Sequence, residues 1–271
     1  MILLKILRIW PFQRGRDFIY RNISEQVKLA MDVLNSEVCL KSGTKIYVRK
    51  KDYLSRWYRC YGEYEAETMR IMRKYAREDE IFLDIGANLG VFSLEIARTE
   101  KCNIIAFEPN PPTAECFKKS IKANKLTDRI KLFQVALSSE SCKVNLIDSP
   151  INAGASALET SASMNNIGDR YEVRAESLDD FSDFKLLLAE LNKKIGLIKM
   201  DIEGAEMLAL EGMSNVLKKH KPVLIIELID SQLRSFGSSK KELVKLLNSY
   251  DFKLSNEFEG NGLFIHSSRN T

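Results

Sequence analysis

The chain has 271 residues, 45% hydrophobic and 29% charged, and its 41 basic and 37 acidic side chains leave a net charge of +4. That length holds one catalytic domain plus an extension, and no run approaches the roughly 20 apolar residues a membrane helix requires. The five cysteines (Cys39, Cys60, Cys102, Cys116, Cys142) are odd in number and never spaced C-x-x-C, so neither a disulfide framework nor a zinc site is expected, only ordinary buried thiols in a reducing cytoplasm.

Met1 to Phe12 mixes apolar residues with Lys5 and Arg8. The interrupting cations and the missing small-residue cleavage site favour a packing or homo-oligomer helix over a peripheral membrane contact through 1–12. Residues 1–78 carry 17 basic against 9 acidic side chains and residues 79–271 carry 24 against 28, which places +8 on the front and −4 on the rest. The excess gathers in Lys45, Arg49, Lys50, Lys51, Arg56 and Arg59, interleaved with Tyr53, Trp57, Tyr58 and Tyr61. Such a stretch suits a solvated surface first, then an acidic saccharide or a nucleic acid. Residues 18–38 have a loose helical pattern, 44–49 alternate like an exposed strand, and 63–77 read as a helix. We therefore expect a cap or oligomerisation extension of helices and a strand over 1–78 and a catalytic domain over 79–271.

Beyond residue 80, short apolar strands alternate with helical stretches, the pattern of an α/β fold with a mostly parallel sheet and right-handed crossovers. Strands are expected at 81–85, 103–107, 130–135, 195–200 and 222–228, and helices at 91–99, 112–124, 204–219 and 239–250. The last helix opens on a Ser239-x-x-Glu242 capping box. Ser149 to Asn166 is small and polar without periodicity, which predicts a loop, a substrate-covering one ahead of a plainly disordered one.

Asp84-Ile85-Gly86-Ala87-Asn88-Leu89-Gly90 joins the first of these strands to its helix. Its two glycines are four apart, unlike the G-x-G-x-x-G loop that cradles a pyrophosphate, so a ligand without one fits better. Glu108 ends the second strand 22 residues after Gly86, about the offset at which an acid bonds a ribose hydroxyl. Together they suggest an adenosine cofactor. Ligands of such sheets bind beyond the carboxyl ends of the strands. Asp84, Glu108, Asp201 and Glu227 all end strands there, although any one alone could simply cap a helix.

Four segments, in order, resemble the signatures of the FkbM family of class I S-adenosylmethionine-dependent methyltransferases: Asp84 to Gly90, Phe107-Glu108-Pro109-Asn110-Pro111, Ile198 to Glu206, and Val223 to Glu227. The resemblance covers about Tyr47 to Ile265. It implies a Rossmann-like, seven-stranded sheet with helices on both faces, closed by an antiparallel hairpin at 251–257 and 262–267. It also implies S-adenosylmethionine as cofactor and methyl transfer to a hydroxyl of a sugar, glycan, or glycosylated or polyketide-like metabolite. By the same resemblance Asp84, Gly86, Asn88 and Gly90 shape the methionine pocket and Glu108 holds the ribose. Gln134 and Ala136 sit where adenine contacts begin.

Methyl transfer requires an acceptor oxygen held in line and relieved of its proton. Lys199, Asp201, Glu203 and Glu206 offer candidates, with Asp201 best placed at the strand tip as a base or as a ligand of Mg2+. Glu203 and Glu206 share a helix face and could instead serve the helix N-terminus and a salt bridge, and Lys199 could neutralise one acid. Glu227 and His266 are further candidate bases, whereas His220, in a basic turn, is expected at the surface. The alternative is an RNA methyltransferase using the basic front. Base-directed amino enzymes tend to carry Asn or Asp followed by Pro-Pro and an aromatic at strand four. Here Asp201-Ile202-Glu203-Gly204 stands instead, two acids that repel a phosphate backbone, so a nucleic-acid partner is not expected.

Overall fold

The computed structural model describes residues 16–32, 34, 36–149, 154, 156–160 and 168–269. The segment 1–12 lies outside these residues, as does most of 149–166. Helices Arg16–Arg21 (α1) and Glu25–Asp32 (α2) precede a hairpin of Glu37–Cys39 (β1) and Lys45–Tyr47 (β2), then helices Tyr53–Tyr61 (α3) and Ala66–Tyr75 (α4). Helix α3, absent from the sequence reading, starts where the Asp52 carboxylate accepts the Ser55 amide at 2.7 Å and stops at left-handed Gly62, whose N–H reaches the Tyr58 carbonyl. Its aromatics point inward: Trp57 and Tyr61 are buried with Tyr20, the Trp57 and Tyr61 rings 4.6 Å apart.

The basic residues of this stretch are largely engaged as well. Arg56 forks onto Asp32 at 3.0 and 2.6 Å, Arg49 onto Asp148 at 2.7 and 2.6 Å, and Arg59 is buried. The basic-aromatic stretch is thus mostly folded inward, leaving Lys45, Lys50 and Lys51 exposed. Residue 78 is no packing boundary either. Val38, Ile46, Leu54, Ile71 and Met72 share one apolar cluster with Phe82, Leu94 and Phe117.

The chain continues through Glu80–Ile85 (β3), Val91–Thr99 (α5), Asn103–Phe107 (β4), Pro111–Ala123 (α6), Ile130–Phe133 (β5), Ala136–Leu137 (β6), Cys142–Asp148 (β7), Ala157–Leu158 (β8) and Asp169–Glu176 (β9). Then follow Ser182–Leu191 (α7), Lys194–Met200 (β10), Glu206–Glu211 (α8), Ser214–His220 (α9), Val223–Glu227 (β11), Asp230–Ser235 (α10), Lys240–Ser249 (α11), Phe252–Phe258 (β12) and Asn261–His266 (β13). The central sheet has seven strands in the order β12-β13-β11-β10-β3-β4-β5, all running one way except β13, which is antiparallel to both its neighbours. Both faces are covered, so β3 reads as a near-continuous apolar run. Phe82 packs toward α5 and α6 while Ile81, Leu83 and Ile85 pack into the cluster that holds Leu247 and Phe252.

Three expectations need correction. The strand predicted at 130–135 ends at Phe133, and Ala136 opens a second, four-stranded sheet, β6-β9-β7-β8, that the sequence reading did not foresee. The helix predicted at 204–219 is two helices. Its break at Gly212 is fixed by the Asp179 amide and Ser177 hydroxyl donating to the Gly212 carbonyl, while the Asp179 carboxylate caps α9 at the Asn215 and Val216 amides. None of the five cysteines is in a disulfide, but only Cys60 and Cys102 are buried.

Candidate active site

The carboxyl ends of β3, β4 and β10 open on a cleft lined by Gly86, Asn88, Glu108, Val135, Ala136, Leu158, Asp201 and Glu203, among others. The glycine loop is held tightly. The Gly86 and Ala87 amides both donate to the Phe107 carbonyl at 3.0 Å, and the Asp201 amide donates to the Ile85 carbonyl at 3.0 Å. Gly86 is left-handed at φ 78, and a β-carbon there would collide with the Asp201 carbonyl, so only glycine lets β3 and β10 meet at this point. Gly90 serves packing and does not line the cleft: a β-carbon at its left-handed φ of 76 would strike the Phe117 ring of α6.

Glu108 is the anchor of the cleft. Its carboxylate, 6% exposed, accepts the Asn88 amide at 2.7 Å on one oxygen and the Asn110 amide at 2.8 Å on the other. Burial pushes it up to about 7 against the pull of these two donors. A buried carboxylate at the mouth of an apolar slot formed by Ile85, Phe107, Val135, Leu137 and Leu158 suits the ribose and base of an adenosine cofactor.

Besides Gly90, two more expected cofactor residues stand elsewhere. Asp84 is fully buried, accepts the Ser93 hydroxyl at 2.6 Å and faces Lys199, with burial raising its carboxyl; it braces α5 beneath the cleft and does not line it. Gln134 is exposed and its amide oxygen accepts from Lys118 at 3.1 Å, so Val135 and Ala136 form the wall instead. Of the predicted loop, Gly154, Ser156, Ala157 and Leu158 line the cleft, while Asn152, Ser161, Ser163 and Asn165 lie outside the described residues.

Across the cleft, Asp201 accepts the Lys199 ammonium at 2.6 Å and remains 27% exposed at its side chain. Lys199 is buried, yet Asp201, Glu65 and Asp84 outweigh that cost and hold its charge above the ordinary lysine range. The expected neutralisation of an acid by Lys199 is therefore present, and the cation beside Asp201 is this ammonium. Among the described residues no three His, Cys, Asp or Glu side chains group to hold a metal ion, so the expected Mg2+ finds no support there.

The neighbouring acids differ in role. Glu206 is buried and accepts the Ile202 and Gly204 amides at 3.0 and 3.2 Å, holding the turn rather than forming a salt bridge, and burial takes it up to about 7. Glu203, left-handed at φ 56, accepts from Gln232 and is raised to about 8 by burial and by the charges of Asp201 and Glu206. Glu227, the other acid expected as a base, is pushed up to about 10 by burial together with Asp201, Glu203 and Glu206, which favours its protonated form at neutral pH.

Glu65 is a residue the sequence reading passed over. It enters from the front segment at a left-handed φ of 43, and one of its carboxylate oxygens is buried without a partner. Burial raises it to about 7, with Asp201 and Glu259 adding to the shift and Lys199 opposing it. Nothing in its periodicity marks it, because its place depends on how α4 packs against the sheet.

The histidines move away from the chemistry. β13 runs antiparallel to β11, pairing Leu224 with Phe264 and Glu227 with Asn261, so Asn261 stands at the rim and His266 at the opposite end of the sheet. There His266 accepts the Ser268 amide at 3.0 Å and packs edge-on against Phe252. His220 is buried, not at the surface. It accepts the Ile195 amide at 3.2 Å, and burial lowers it to about 4.

A family model described as the methyltransferase FkbM domain matches residues 84–254, well over half the chain. The hexuronic acid methyltransferase AglP of Haloferax volcanii is 29% identical over 194 residues, spanning 71% of this chain and 71% of that protein. Methyltransferase 1 of Beauveria bassiana is 27% identical over 169 residues, 57% of this chain and 67% of that one. The crystal structure of the methyltransferase FkbM from Methylobacillus flagellatus KT aligns with a TM-score of 0.47 and 18% identity over 70% of this chain and 44% of the other. With its glycine loop, its Glu108 turn and its Asp201 strand tip all inside the matched region, the chain is a methyltransferase and belongs to the FkbM family.

Proposed function

We propose that this methyltransferase uses S-adenosylmethionine to methylate a hydroxyl of a sugar, either free or within a glycosylated product. The observation that carries the reading is the pairing of Glu108 and Asp201 on opposite sides of one cleft. Glu108, Gly86, Asn88, Val135 and Ala136 would hold the cofactor, which supplies a methyl group on a positively charged sulfur. The similarity to a hexuronic acid methyltransferase supports a sugar as acceptor.

The chain's own work is to hold the acceptor oxygen and take its proton. One oxygen of Asp201 is bound by Lys199, which leaves the other for the acceptor hydroxyl. Glu65, near 7, is poised to share that proton, and Glu227, protonated at neutral pH, would donate a hydrogen bond to the sugar. The test is methyl transfer from labelled S-adenosylmethionine to a panel of uronic acids and neutral glycosides, with O-methyl products read by mass spectrometry. Asp201→Asn should cut turnover by about 10²–10⁴ and leave cofactor affinity nearly intact. Normal turnover in that variant on a working acceptor, or lost cofactor binding, would remove Asp201 from this role.

A further inference from the structure

Asp148, at the end of β7, is 2% exposed and takes four donors. They are both terminal nitrogens of Arg49 at 2.7 and 2.6 Å, the Asn110 side-chain amide at 2.7 Å and the Ser156 hydroxyl at 2.9 Å. Two of these partners belong to the cleft. Asn110 donates its backbone N–H to Glu108, and Ser156 lines the cleft beside Ala157 and Leu158. The other partner, Arg49, comes from the front segment and is itself held firmly. Its backbone N–H donates to the Ser55 hydroxyl at 3.1 Å, that hydroxyl donates to Asp52 at 2.6 Å, and its guanidinium also reaches the Thr113 hydroxyl on α6 at 3.2 Å.

Burying an ion pair costs desolvation, so this pair is weak evidence of added stability. What a forked arginine supplies is direction: two parallel bonds fix the plane of the carboxylate and hence the angle of everything else that carboxylate binds. Here it fixes at once Asn110, which holds the cleft-lining Glu108, and Ser156, which lines the cleft itself. Asp148 is held below the usual carboxylate range by Arg49, Asn110 and Ser156 despite its burial, so it stays charged at neutral pH.

We propose that Arg49 is a positioning residue for the cofactor: through Asp148 it sets Asn110, which steadies the ribose acid Glu108, and Ser156, which shapes the facing wall. The front segment is then part of the cofactor site although none of the cleft-lining side chains named above comes from it. The inference rests on the cofactor assignment, and the experiment separates the two. S-adenosylhomocysteine is titrated calorimetrically into wild-type protein and into the full-length variants R49K, the R49M/D148N pair and R56M, each also followed by thermal unfolding.

R49K keeps the charge and loses the fork, and the double variant removes the pair without leaving a buried lone charge. Both should bind at least about tenfold more weakly, the loss expected for a misdirected hydrogen bond to a charged group. R56M breaks the matching Arg56–Asp32 fork of the same segment, which has no bond to the cleft. It should lower the melting temperature and leave affinity within about twofold. Because coupling is reciprocal, ligand should also slow hydrogen exchange in wild-type peptides covering 45–56, a readout that needs no variant. Affinity within twofold of wild type in R49K or in the double variant, or unchanged exchange at 45–56 on saturation, overturns the role of Arg49. Failure of wild-type protein to bind S-adenosylhomocysteine overturns the cofactor assignment, and this proposal with it.

Discussion

One carboxylate holds both sides of the glycine loop's exit: Glu108 accepts the Asn88 amide from the β3–α5 turn and the Asn110 amide from the N-cap of α6. Because burial lifts it to about 7, it titrates close to neutral pH. A ribose donating hydroxyls to it prefers the charged form, so binding at pH 6 must release a proton and binding at pH 8 need not. Affinity should therefore rise with pH through about 7 and then level off. Calorimetry of S-adenosylhomocysteine at pH 6, 7 and 8 should show about a tenfold gain across that range. In Glu108→Gln the affinity should fall and the added slope should vanish. An identical pH slope in wild type and Glu108→Gln would mean that the titrating group is another, such as the ligand's own amine.

At the scale of elements, the front segment has an aromatic core of its own and joins the domain through the apolar cluster that Val38, Ile46, Leu54, Ile71 and Met72 share with Phe82 and Leu94. Trp57 is 7% exposed and lies against Tyr20, Tyr53, Tyr61 and Tyr64, and its indole N–H donates to the Glu63 carbonyl at 3.0 Å. Trp57→Ala should cost about 3–5 kcal/mol, measured by urea unfolding. The transition should remain single, since the segment shares a core with β3 and α5; two separated transitions would show that it folds apart from the domain.

The same elements explain what could be read from the residues alone. Strands β3, β4, β10 and β11 were legible because both their faces are buried, which leaves short apolar runs between turn residues. The Ser239 capping box was legible because it is local, and the Ser239 hydroxyl does accept the Glu242 amide at 3.3 Å. The arm formed by β7 and β9 was not, since their first halves are exposed and carry Lys143, Arg170 and Glu172 where a core strand would be apolar. Strand direction was the deeper gap. Gly86, Asn88, Glu108 and Asp201 follow from the rule that parallel strands point their carboxyl ends at the ligand, whereas β13 runs the other way and carries His266 to the far end. Glu65 and Arg49 depend on tertiary packing against residues 99 or more positions away in sequence, which no local pattern records.

Seen whole, the molecule divides its charge by function. The front carries the surplus of basic side chains, and much of it is spent on acids: Arg49 on Asp148, Arg56 on Asp32, Arg73 on Glu95. The acids gathered near Lys199 outnumber it, and Glu65, Glu203 and Glu227 are all raised in consequence of burial and of one another. An arrangement that keeps carboxyls crowded and partly protonated is costly for folding alone and useful for binding a hydroxyl and taking up its proton. Glu108 stands apart from this group on the opposite wall, tied to the amides of its own loop. The division of labour between the two walls is the central claim, and one titration tests it most directly. S-adenosylmethionine is titrated into wild-type protein, Glu108→Ala and Asp201→Asn under one buffer condition, with NAD as the competing ligand. The account predicts one site per chain in wild type, a loss of about 1–3 kcal/mol in Glu108→Ala, near-wild-type affinity in Asp201→Asn, and no displacement by NAD. Unchanged affinity in a folded Glu108→Ala protein, or tighter binding of NAD than of S-adenosylmethionine, would contradict it.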